Sequence, residues 1–483
     1  MQRSGHWGAV TLGCVGAIFA AACAAPHHAA TAPPSHDTDA PASDRPAPPE
    51  AAANRGDAGV VAAVASRPRA PLGPDLRVQV GRHGISWTFS QPRRVGRYVN
   101  GDWWVIGPVS LVAITPACAA EGPRVRNGAM VNPDPRRAWH GYDSATAGSA
   151  ECSRYADELN VARAVSPTSP LDLSPGSSLV SAVSHPTPGQ LPQLERCAVL
   201  TVVAAAPPPR AFRPPYCGAD KRARWSAKDL DETCLHRLPR VAGAPSTGEL
   251  LTQLEHTWLD HLSGLPGRYL HPRENMPDYG RDIADVVGAA ALALNLDLPI
   301  DEKRALLVVL VQLGIDVYGI VKHGGRFRAD GAAGSGRKLP MMLAGQLLRD
   351  RDILETAVRA SSAFGEDAQT FFVTETSPGV INGGHGGYVD ADVGLPEWGN
   401  RHADDPSSDR KGWSADPYRR CCTANSWVGF VLAARIMGLR EAWGHPALFE
   451  YVDRYMQIER PGHWMRSWNP FAERMWERYR ADF

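Results

Sequence analysis

The chain has 483 residues, with 51 Lys+Arg against 51 Asp+Glu, so its formal net charge is zero. That balance excludes a globally basic nucleic-acid binder, and no partner of that kind is expected. Its length exceeds what one typical domain uses, so two folded modules are expected.

In chain order, Met1-Gln2-Arg3 supplies a positive start, and Ala9 to Ala22 is an apolar run broken by small residues. The run is too short to span a membrane and fits a secretory leader over residues 1–23. Phe19-Ala20-Ala21-Ala22-Cys23 resembles a bacterial lipoprotein processing site, which makes Cys23 the expected acylation point. An ordinary cut near Ala22 or Ala25 is the other reading. Either way the chain is expected outside the cytoplasm, in the periplasm or on the cell surface, and membrane contact is expected only through a lipid anchor. Residues 24–70 are dominated by Ala, Pro, Ser, Asp and His without apolar periodicity. Such a segment buries too little surface to offset its ordering entropy and reads as a disordered tether.

Residues 71–245 are rich in short β-type runs. Leu76–Val80, Ile85–Phe89, Trp103–Ile106, Val109–Ile114 and Ala198–Val203 are the clearest, with turn signals at Asn100-Gly101 and Asn127-Gly128. Many short strands with such turns predict a β-sandwich or jelly-roll-like domain. Trp103-Trp104 is either a sugar-stacking pair or one core and one rim residue. Cysteines 118, 152, 197, 217, 234, 421 and 422 follow the leader, and export permits one or two bridges among them. No spacing fits a zinc finger, and no cofactor is expected, with a structural divalent metal left open.

From residue 246 the apolar period becomes helical. Leu250, Leu251, Leu254, Trp258 and Leu262 share one face, then Ile283, Val286, Val287, Ala290 and Leu294. Leu306 to Val321 is apolar nearly all round, but Gln312 and Asp316 interrupt it, so a buried core helix is expected in preference to a membrane span. Further helices are predicted near 340–348, 353–362, 424–437, 446–456 and 471–479. Helix after helix, with polar loops at the ends, reads as an incomplete (α/α) toroid over residues 246–483. The fold class is therefore α+β, in two modules.

The most informative loop is Arg268-Tyr269-Leu270-His271-Pro272-Arg273-Glu274-Asn275-Met276-Pro277-Asp278-Tyr279-Gly280-Arg281. Its prolines and glycine oppose a long helix, and it concentrates donors, acceptors and proton carriers between helices. A basic cluster follows: Lys322, His323, Arg326, Arg328, Arg337 and Lys338, with glycines that admit close backbone approach. Arginine suits bidentate recognition of carboxylate or sulfate. The glycines before Arg337 lack phosphate-loop spacing. His385 stands among four glycines, followed by Asp390, Asp392 and Glu397, which offer a second proton carrier, a weak calcium site, or carboxyl groups for glycoside hydrolysis. Seven of the 14 tryptophans lie in the last quarter, where Trp398 and Trp413 sit in polar surroundings as ligand candidates.

A β-rich module with an incomplete toroid, exported and carrying Asn, Tyr, His and Arg in helix-end loops, resembles the toroidal polysaccharide lyases of heparinase II/III-like and alginate or chondroitin lyase type. The resemblance implies β-elimination on an acidic polysaccharide. Asn275 and Arg281 would neutralise the uronate carboxylate, with Tyr279, His271 and His385 as proton carriers. Lys322, His323, Arg326, Arg328, Arg337, Lys338, Trp398 and Trp413 would bind substrate. A glycoside hydrolase on the same scaffold and a non-catalytic glycan-binding lipoprotein are the alternatives.

Overall fold

A computed structural model describes residues 76–137, 139–145, 154–188, 193–262, 270, 280–327, 334–376, 381–382, 385–386, 388–398, 423–463, 465–466 and 468–483. Side chains at 280, 281, 381, 382, 385 and 386 are outside that description. Arg69–Phe483 forms one compact unit. It is mixed α+β: a curled sheet, shaped as a half-barrel, followed by an array of helices.

The sheet runs β7-β9-β10-β3-β2-β4-β8, with β1 also on β2. The ranges are β1 Leu76–Arg82, β2 Ile85–Arg97, β3 Trp103–Ile106, β4 Val109–Thr115, β7 Ala129–Val131, β8 Leu171–Leu173, β9 Ser177–Ser184 and β10 Leu194–Val203; β5 Ala119–Glu121 and β6 Arg124–Arg126 form a separate ribbon. β2 makes the curl. Its first half alternates buried Ile85, Trp87 and Phe89 with outward residues and pairs with β1 and β4. The register on β1 then slips, from Thr88 to Arg93 across Arg77/Gln79, around Pro92. Proline cannot donate to a ladder, so the strand bends there and its end, Val95–Arg97, joins β3. Trp87, Phe89, Val105, Leu111, Leu179, Leu200 and Val202 fill the concave side.

β10 is parallel to β3 and antiparallel to β9, and all seven of its residues from Cys197 on are buried. The faces of β9 and β10 away from the half-barrel carry Val180, Ala182, Cys197 and Val199, which belong to the core of the helical array. Such two-sided burial explains the nearly unbroken apolar run of β10.

The helices are α1 Thr247–Leu254, α2 Gly280–Leu294, α3 Ile300–Lys322, α4 Lys338–Leu347, α5 Arg351–Arg359, α6 Gly365–Gln369, α7 Trp427–Ile436, α8 Arg440–Trp443, α9 Pro446–Ile458 and α10 Pro470–Tyr479. α1 opens with a capping box between Ser246 and Glu249, and it stops well short of the expected Leu262. α3 starts with Asp301 and Glu302 and ends with Lys322, matching its dipole. It is long and apolar enough to cross a membrane, yet it lies largely buried between α1, α2, α4 and α5. α7 is buried at all ten positions and crosses α2 where Gly288 meets Gly429 and Phe430 backbone. The short strands β11 Thr370–Phe372 and β14 Pro396–Trp398 pair with each other, as do β12 Ile381–Asn382 and β13 His385–Gly386. Cys118, Cys217 and Cys234 stand as thiols.

Candidate functional site

Of the fourteen-residue loop, Leu270 is described and buried, Gly280 and Arg281 open α2, and His271, Asn275 and Tyr279 lie outside the described residues. The site is therefore built from what surrounds the ends of that loop.

Upstream, the segment after α1 brings Trp258, Asp260 and His261 into the core. The Tyr216 hydroxyl donates to the Trp258 carbonyl at 3.0 Å and accepts from the His261 amide at 3.2 Å. His261 Nδ1 lies 3.2 Å from the same hydroxyl, and its Nε2 lies 3.4 Å from the Tyr142 hydroxyl. This is a Tyr–His–Tyr chain reaching from the half-barrel to the helical array. Burial pushes both phenols well above the ordinary tyrosine range. Neither Tyr142 nor Tyr216 is a phenolate base; each can hold or pass a proton.

Arg337, expected to bind substrate, stands beside this chain. Its Nε and Nη2 face the Asp260 carboxylate at 3.3 Å, Nη1 donates to the Ser335 carbonyl at 2.7 Å, and its guanidinium lies 5.8 Å from the Trp258 ring centre. Gly336 has φ 82°, and a Cβ there would sit 2.6 Å from Ala284 Cα. Only glycine allows this turn to press on the first turns of α2. Arg337, Asp260 and His261 thus gather near the helix end where the loop re-enters the fold. Sequence reasoning counted Trp258 and Leu262 as one helical face and missed Asp260 and His261. The adjacent polar pair between Leu259 and Leu262 was the available signal.

Lys322 and His323 line a different cleft, of about 370 Å³, with Asn132, Pro133, Asp134, Pro135, Arg136 and Gly218. Its cations come with partners. Lys322 Nζ donates to the Tyr318 hydroxyl at 2.6 Å and to Asp352 at 2.9 Å. Arg136 grips Asp134 at 2.7 and 3.0 Å, and that hydrogen bond holds the Asp134 carboxyl down at about 2. Burial, then the charge of Lys221, lowers His323, which weakens its hold on a proton. Gly324 and Gly325 pack against Arg136 and Pro135, so they admit the 132–136 loop. Arg326 is exposed on the following loop, and Arg328 lies outside the described residues.

Lys338 is fully enclosed, its ammonium 2.5 Å from Asp367 and 2.8 Å from the Trp443 carbonyl. It anchors α4 and is remote from any surface. Trp398 is 1% exposed on β14, where no sugar face can reach it, and Trp413 lies outside the described residues. Trp103 is likewise covered, with Arg97 4.3 Å and Arg77 5.4 Å from its ring centre. His385 pairs with Asn382 across a two-residue hairpin. Asp392 accepts from the Val389 amide, and Glu397 pairs with Arg454 at 2.5 Å. Cys23 lies outside the described residues. Comparison with protein-family models, with curated proteins and with solved structures gives no match.

Proposed function

We propose that the chain is an exported carbohydrate-active enzyme that cleaves an acidic polysaccharide by β-elimination, at the loop that leads into α2. The supporting observation is the gathering of Arg337, Asp260 and His261 near the helix end into which residues 271–279 run. On this reading the half-barrel is the β module and the helices form an incomplete (α/α) toroid. A lipid on Cys23 would hold the enzyme at a membrane surface.

The chemistry needs three acts. A cation or amide pairs with the uronate carboxylate, so that charge arriving at C5 is spread into a neutralised group; Asn275 and Arg281 have the required chemistry. A base takes the C5 proton. The C5–H electron pair becomes the C4–C5 double bond as the C4–O bond breaks, and an acid returns a proton to the departing oxygen. Tyr279, with an ordinary pKa near ~10, becomes a usable base only beside cations. Arg281 and Arg273 stand close in sequence. His271 and His385 are the remaining proton carriers. Asp260 would hold Arg337 in place, and the Tyr142–His261–Tyr216 chain would stiffen the approach to the loop.

The test offers purified chain a panel of uronic-acid polysaccharides and follows ultraviolet absorbance of the C4–C5 double bond. Wild type should generate it; Tyr279→Phe should abolish it while still binding substrate. New reducing ends without unsaturation would replace the lyase with a glycoside hydrolase. Binding without cleavage across the panel would leave a glycan-binding protein.

A further inference from the structure

The β1–β2 hairpin turns on His83-Gly84, with φ 50° and 73°, between the paired residues Arg82 and Ile85. Positive φ at both central positions marks a type I′ turn, whose preferred first residue is asparagine. A histidine there carries a local cost that a second role would offset. The turn docks on the C-terminal end of α1, where Glu255 closes the helix and His256 follows. The rings of His83 and His256 lie 4.1 Å apart, centre to centre. One ligand atom from each of His83, Glu255 and His256 falls within 4.8 Å of the others. His83 Nε2 is buried and has no hydrogen-bond partner among the described residues.

We propose that His83, Glu255 and His256 bind a divalent zinc-class cation, clipping the half-barrel to α1. Two imidazoles and one carboxylate form a donor set suited to Zn²⁺, with a fourth position left for water. Metal–ligand bonds of ~2.0–2.2 Å put the ligand atoms of a tetrahedral site ~3.3–3.6 Å apart, so side-chain rotation has to draw the set together by up to about 1.5 Å. Two features favour a cation there. The carboxylate brings negative charge, and the α1 C-terminus presents the negative end of its dipole. Arg82 and Arg196 oppose it, but Arg82 donates to the Asn100 carbonyl at 3.0 Å and lies 3.8 Å from Asp102, which offsets its charge. The clip would fix the start of the segment that carries Asp260 and His261, and it does not depend on the lyase reading.

The test strips the purified full chain with chelator and titrates it with Zn²⁺ by calorimetry, with Co²⁺ absorption and thermal melting in parallel. Wild type should bind one ion at this site, give a four-coordinate Co²⁺ spectrum, and melt at a higher temperature with metal. His83→Asn suits the turn better than the native residue, so its fold should survive, while affinity should fall at least about tenfold. Glu255→Gln, outside the turn, should weaken binding in the same direction. His27, His28 and His36, outside the described residues, are among the other histidines that could take the ion: binding that persists unchanged in both variants lies elsewhere and overturns the proposal. Absence of any Zn²⁺-dependent heat or melting shift in wild type overturns it as well.

Discussion

Glu366 is a residue whose surroundings disagree with its charge. It is fully buried; one carboxyl oxygen accepts from the Lys338 amide at 3.2 Å, and the other has no hydrogen-bond partner among the described residues. Burial, then the neighbouring charge of Asp367, raises it from 4.5 to about 7. A carboxyl raised in the folded state keeps its proton where the unfolded chain has lost it. Stability should therefore fall as pH rises from about 4.5 to about 7, by roughly 3 kcal/mol at most, and then stay level. Glu366→Gln keeps the shape without the charge. Urea unfolding at pH 8 should find it roughly 1–3 kcal/mol more stable than wild type, and its slope with pH should be flatter through that window. Equal stability at pH 8 would show that the native carboxylate is already compensated. Arg213 is the opposite case. It is buried, with Nε 2.6 Å from Asp102 and its two terminal nitrogens 2.9 and 2.5 Å from Asp316. Arg213→Met would leave buried Asp316 without its cation and Asp102 with only Arg82, 3.8 Å away, and should cost about 3–5 kcal/mol in denaturant unfolding. A cost under ~1 kcal/mol would mean that water reaches the pair.

At the scale of elements, the α2–α7 crossing depends on one glycine more than its neighbour. A Cβ on Gly288 would lie 2.6 Å from the Phe430 amide nitrogen and 2.8 Å from the Gly429 carbonyl carbon. Those are backbone atoms of a helix buried along its length, so they cannot yield. A Cβ on Gly429 meets nothing closer than 3.4 Å. Gly288→Ala should lower stability by about 1–3 kcal/mol, whereas Gly429→Ala should be neutral or gain up to ~1 kcal/mol of helix propensity. Thermal melts of the pair decide it, and equal effects would refute the asymmetric crossing. The helices themselves were legible: apolar spacing marked α2, α4, α5, α7, α9 and α10 close to their ends and α3 from Leu306 on, six residues after its start, because each buries apolar residues, on one face or, in α3, α4 and α7, nearly all round. The curl was not legible. Ser177–Ser184 is not among the runs singled out from the sequence, yet it is a strand inside the sheet whose Ser178, Ser181 and Ser184 are buried; Ser181 Oγ accepts from Trp87 Nε1 and Ser184 Oγ from the Asn127 amide. The run read from the sequence is Ile85–Phe89, yet β2 continues past Pro92 to Arg97 and changes partners there. Local pattern shows that a segment is extended; which strands it joins is decided far away in sequence. The site followed the same rule. Composition singled out the 268–281 loop and Arg337, but Asp260, which holds Arg337, is 77 residues away, and the polar pair it forms with His261 does not by itself say which residue it meets.

At the scale of the whole molecule, strands and helices share a core. One apolar cluster runs from Val180 and Val199 on β9 and β10 through Phe212 and Tyr216 into α2, α3 and α7. Arg213 sits in the same wall, tying the β2–β3 turn to α3. Separating the halves would expose the helix-facing side of β9 and β10 and strand buried charge, so neither half is expected to be stable alone. Hydrogen exchange should therefore report β10 and α7 peptides losing protection at one common urea midpoint. Phe212→Ala, which deletes a fully buried ring where the halves meet, should cost about 3–5 kcal/mol and move both midpoints together. If only one midpoint moves, the halves are separate cooperative units and residue 245 is a true domain boundary. If both move, substrate-driven opening of the helical array would also disturb the sheet, and motion during any reaction must then be confined to the loops at the helix ends, with the core left closed.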